Sequence, residues 1–165
     1  MEGQLILILS LPLVFISHDF EEIIGIEPWA KKNADYRGAR FSKLAPRVIS
    51  HFLAASTRQL AIGVLVMFLL ICSATYLSVF TEFYQIWMGA FVAYSIHIIV
   101  HIIQWIIFGR YVPAIITSLL SVPYCIYGIF IIINTFSISD IIVWSLLMSV
   151  IAIVLLLIVH QKIIK

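Results

Sequence analysis

Apolar residues fill this chain in long unbroken runs, with neither the alternation of a half-buried strand nor the one-sided stripe of a soluble helix. The run Ile126–Ile133 shows no alternation at all, which argues against a transmembrane β-barrel. Five runs stand out: 5–26, 59–80, 83–108, 113–133 and 138–160. Each is long enough to span, since ~20 helical residues cross a ~30 Å hydrocarbon layer. Lipid cannot satisfy exposed backbone N–H and C=O groups, so the form expected is the α-helix. The pattern predicts an all-α membrane protein, a single polytopic domain over 1–165 built as a bundle of about five transmembrane helices. Only Pro12 and an acidic cluster interrupt the first run, and Pro113 suits the first turn of the fourth helix.

Composition agrees: of 165 residues, 63% are hydrophobic and 11% charged, far from the roughly 25% charged residues of soluble domains. A net charge of +2 gives no reason to expect a nucleic-acid partner. The Met-Glu-Gly-Gln start lacks the basic region of a signal peptide, so the first run is expected to stay attached as a helix. The two cysteines, Cys72 and Cys125, lie in apolar runs and read as small packing residues.

The segment 27–58 carries Lys31, Lys32, Arg37, Arg40, Lys43, Arg47 and Arg58, while Arg110, Lys162 and Lys165 follow later. With the N-terminus outside, five spans put all of these on one side and Glu2, Glu82 and Asp140 on the other. The positive-inside rule then predicts a cytoplasmic C-terminus, a basic cytoplasmic loop and multi-pass insertion in the cell membrane. The loop is expected to touch anionic headgroups of the bilayer, and a sharper reading makes Pro46–Thr57 an interfacial helix.

Ionisable groups inside a span are costly and usually have partners. The first span carries His18-Asp19-Phe20-Glu21-Glu22. Residues three and four apart share a helix face, so His18, Glu21 and Glu22 are expected to project together, with Asp19 turned towards headgroups or behind the ligands. The third span carries a polar stripe, Tyr94, His97, His101 and Gln104. An HxxxH pair suits two imidazoles on one divalent ion, zinc or iron. His18 and His101 lie at matching distances from the ends of their spans, about 14–15 Å. The site expected is therefore shared, with His18, Glu22, His97 and His101 as metal ligands. His51 and His160 read as solvated or interfacial, and Thr117, Ser121, Cys125 and Gly128 form a small-residue stripe suited to helix packing.

The pentapeptide 18–22, Trp29, His101, Tyr111-Val112-Pro113 and Thr117 together resemble the HXXEE family of small bacterial membrane proteins. The resemblance implies a membrane-embedded enzyme. The chain departs from it at His97, where Asn is expected, and at Ala114, where Gly is expected, and Gln59–Leu70 lacks an expected acidic residue.

The function expected is a metal-dependent, hydrolase-like membrane enzyme acting on a lipid or peptide at the cytoplasmic leaflet, with Glu21 as general base. Alternatives are a proton- or metal-coupled transporter or sensor, and a non-catalytic partner or immunity protein. Nucleotide-binding and Ser-nucleophile motifs are absent from the sequence.

Overall fold

The computed structural model describes residues 2–33 and 56–163. Within them the chain forms five helices: α1 (Glu2–Lys32), α2 (Thr57–Thr81), α3 (Gln85–Phe108), α4 (Ile115–Thr135) and α5 (Ile138–Ile163). All five are long and apolar enough to cross a membrane. This is an all-α, multi-pass membrane protein. Most of the proposed interfacial helix, and His51 with it, lies outside the described residues. Ser56 caps α2 through a reciprocal bond pair with Gln59.

Two boundaries differ from the sequence pattern for physical reasons. The first helix passes Ile26 and continues through Pro28 to Lys32. Its last turns are held from outside, where Trp29 donates to the Tyr111 carbonyl at 2.7 Å and Glu27 accepts from Thr57 of α2, and from within by the Lys31–Glu27 pair. Pro113, expected in the first turn of α4, instead stands just ahead of it. Ala114 follows with φ 70°, a left-handed conformation that cannot be helical, so the helix starts at Ile115. Only glycine takes that conformation without strain, which explains why Gly is the residue expected there.

The helices α1, α2, α3 and α4 enclose the core in ring order, with α1 diagonal to α3, and α5 lies outside against α3 and α2. On α1 the inward stripe runs Leu7, Leu11, Phe15, His18 and Glu22; on α3 it runs Trp87, Phe91, Tyr94, Ile98 and His101. Apolar at one end of the bundle, both stripes turn polar towards the other. Two glycines permit the closest approaches: a Cβ on Gly89 would strike the Trp144 backbone of α5, and one on Gly128 the Phe91 ring. The outer faces, with Leu13, Phe20, Ile24, Leu120 and Leu146, are exposed and apolar, as lipid contact requires.

The contacts of α1 with Thr57, and of Trp29 with the 109–114 turn, bring the C-terminal ends of α1 and α3 beside the start of α2 and α4. Late α5 joins them, since Leu156 lies beside Gly63 of α2. Lys31, Lys32, Arg58, Arg110 and Lys162 therefore share one end of the bundle, opposite Glu82 and Asp140.

Candidate metal centre

Successive residues of a helix are about 100° apart, so the motif fans out over an arc. Glu21 lies on one edge, His18 and Glu22 near the middle and Asp19 on the other edge. Because α1 is flanked by α4 and α2 and faces α3, the whole arc except Phe20 is directed at protein. His18, Asp19 and Glu22 are buried, at 0%, 4% and 7% exposure. Of the two places expected for Asp19, the headgroup-facing one is corrected: it is an interior group beside the histidines. Glu21 also departs from the shared face expected of it, turning to the start of α4.

The interior group is compact. The His97 and His101 Nε2 atoms face each other at 3.1 Å, and the His18 ring stands 5.3 and 5.0 Å from theirs, centre to centre. Asp19 Oδ1 lies 3.8 Å from His18 Nε2 and 4.0 Å from His97 Nε2. Two triads, His18–His97–His101 and Asp19–Glu22–His97, each offer ligand atoms within 4.8 Å of one another. The four residues expected as ligands thus fall in two triads that share His97, with His18 and His101 in one and Glu22 beside Asp19 in the other. No single-helix pattern signals Asp19; only the position of α2 beyond it decides its burial.

Tyr94 borders the group, edge-on to His18 at 6.1 Å, and donates to Ser121 of α4. Gln104 lies one turn beyond His101, partly exposed.

Glu21 is fully engaged elsewhere. Its Oε1 accepts from the Tyr111 hydroxyl at 2.9 Å and the Ile116 amide at 3.3 Å; its Oε2 accepts from the Thr117 amide and hydroxyl, both at 2.7 Å. The carboxylate thereby supplies acceptors to the first turn of α4, whose amides have no intrahelical partner. Burial, then the bond to Glu21, pushes the Tyr111 phenol up to about 12, so it stays a donor at neutral pH. Glu21, Gly25 and Trp29, one turn apart, meet Thr117, Pro113 and the Tyr111 carbonyl respectively.

A chain with this interlock can be compared with known proteins on its motif residues. The family model described as "Protein of unknown function with HXXEE motif" matches residues 9–128. The chain belongs to the HXXEE family. Comparison with curated proteins and with solved structures gives no match. In this HXXEE protein the motif does two jobs at once: His18 and Glu22 face the core, and Glu21 fastens α1 to α4. The HXXEE match covers both halves of the centre, from the motif on α1 to the histidines of α3.

The donor set suits a divalent ion. His18 Nε2 and Asp19 Oδ1 are buried without a hydrogen-bond partner, a costly state for polar atoms in an apolar interior. Zinc bonds of about 2.0–2.1 Å place tetrahedral ligands roughly 3.3–3.4 Å apart. The separations here, 3.1, 3.8 and 4.0 Å, bracket that value. Among the described residues, the ion-pair partners of Asp19 are His18 and His97, and no Lys or Arg reaches Asp19 or Glu22.

Proposed function

We propose that this protein is a metal-dependent membrane enzyme of hydrolase type, holding one divalent cation, zinc or iron, at His18, His97, His101 and Asp19. The observation that carries the reading is the convergence of three imidazole nitrogens within 4.8 Å of one another, with the buried, unbonded Asp19 Oδ1 3.8 and 4.0 Å from two of them, inside an apolar bundle. One divalent charge would balance the two carboxylates, Asp19 and Glu22, which no Lys or Arg among the described residues reaches.

An ion held by these residues would supply polarisation of a carbonyl or phosphoryl oxygen and a more acidic water. The chain's own residues supply the rest. Glu22 lies beside Asp19 and His97 with no hydrogen-bond partner among the described residues, and it is the carboxylate free to take up and return a proton. Glu21 has four donors already and serves to hold α1 against α4. The His97 side chain keeps 41% exposure, leaving that flank of the centre approachable. The apolar walls exclude bulk water, which strengthens every charge interaction inside.

The centre lies about 10 Å from the end of α3, counted from His101 to Phe108, on the side of the basic residues. By the positive-inside rule this is the cytoplasmic half of the cell membrane, so a lipid or short peptide of the inner leaflet is the substrate class proposed.

Metal analysis of protein purified in detergent tests the reading. Wild type should carry close to one equivalent of zinc or iron, and His18→Ala and His101→Ala should lose it while keeping helical circular dichroism. Wild type that takes up no metal would remove the proposal. Substrate-dependent flux in liposomes would favour a carrier instead.

A further inference from the structure

The hydroxyl of Thr117 has one hydrogen to give and four neighbours within reach: Glu21 Oε2 at 2.7 Å, His18 Nδ1 at 3.2 Å, the Ala114 carbonyl at 3.3 Å and the His18 carbonyl at 3.4 Å. The shortest contact, to a carboxylate, is the kind that claims the hydrogen. If the hydroxyl donated to His18 instead, its lone pairs would face the Glu21 oxygen at 2.7 Å, a repulsive contact. Glu21 cannot turn away, because the Ile116 and Thr117 amides and the Tyr111 hydroxyl hold both its oxygens. With its hydrogen given to Glu21, Thr117 meets His18 Nδ1 only as an acceptor. The imidazole must then carry its proton at Nδ1 and its lone pair at Nε2. Nε2 is the buried atom without a partner that faces Asp19.

We infer that Glu21, acting through Thr117, fixes His18 in the Nδ1–H tautomer and so aims its Nε2 lone pair into the centre. This rests on the proposed metal site and deepens it: the last but one residue of the motif is a positioning residue for the first. Ligating histidines commonly bond through their second nitrogen to an orienting group, and removing that group costs about 10–100-fold in metal affinity. The relay also assigns Thr117 a role that its place in a small-residue stripe hides.

Two readouts on the full chain in detergent micelles test this. In metal-free, 15N-histidine-labelled protein, long-range 15N–1H correlation reads the tautomer, with His18 assigned by its loss in His18→Gln. Wild type and Thr117→Ser should show a proton at Nδ1 and a lone pair at Nε2. Thr117→Val should show a mixture of tautomers, and Glu21→Gln should shift in the same direction. Zinc competition should show Thr117→Val weakened about 10–100-fold and Thr117→Ser close to wild type. Unchanged tautomer and affinity in both Thr117→Val and Glu21→Gln would overturn the inference. Equal losses in Thr117→Val and Thr117→Ser would mark a packing role and overturn it as well. If wild type binds neither zinc nor iron, the metal reading falls, and the tautomer measurement still decides the relay.

Discussion

Asp19 is a carboxylate whose position carries an energetic cost. A buried polar group without a partner costs folding about 1–3 kcal/mol, more when charged, and Asp19 lies at 4% exposure with Oδ1 unbonded. Keeping such a group opposes stability, and a ligand that binds it in the folded protein restores what was lost. Asp19→Asn is therefore expected to raise the melting temperature of metal-free protein, by about 2–4 °C per kcal/mol relieved. The proposed metal site predicts a further rise for wild type in zinc, most of which the same variant should lose. Differential scanning fluorimetry with chelator and with zinc checks both signs. An Asp19→Asn protein less stable than wild type under both conditions would assign Asp19 to packing alone.

At the scale of elements, close backbone approach decides how α3 sits. Gly89 faces the carbonyl of Trp144 on α5, and a backbone carbonyl inside a helix cannot give way. Gly89→Ala should therefore destabilise the protein by at least the 1–3 kcal/mol typical of overpacking, roughly, and a chemical-denaturation series in detergent would measure it. A smaller loss is expected for Gly128→Ala, since there the obstacle is the Phe91 ring, a side chain able to shift. The stripe on α4 divides along the same lines. Ser121, Cys125 and Gly128 face the core, Ser121 bonding Tyr94 and Gly128 admitting Phe91, as helix packing requires. Thr117 belongs to the interlock with α1.

Across the whole molecule, charge sorts by end. Lys31, Lys32, Arg58, Arg110 and Lys162 occupy the end nearer the histidines, and Glu82 and Asp140 the other. Basic residues resist translocation, so the basic end should be cytoplasmic. A C-terminal green fluorescent protein fusion should fluoresce, and a C-terminal alkaline phosphatase fusion should be inactive. The opposite pair of results would put the centre in the outer half of the bilayer and remove the inner-leaflet substrate class.

The sequence by itself determined the five helices, because continuous apolar runs of spanning length leave the backbone no other way to satisfy its hydrogen bonds in lipid. It also determined that His18 and Glu22 share a face, and that His97 and His101 do, since helical periodicity alone sets those relations. What lies opposite each face is a property of several helices together. The burial of Asp19 needed α2 on its flank, and the engagement of Glu21 needed the first turn of α4, 96 residues away along the chain. The left-handed Ala114 placed that turn, and no periodicity carries its φ of 70°. The motif on α1 thus names its residues in the sequence, and the helices packed around it decide which faces the polar interior and which fastens the bundle.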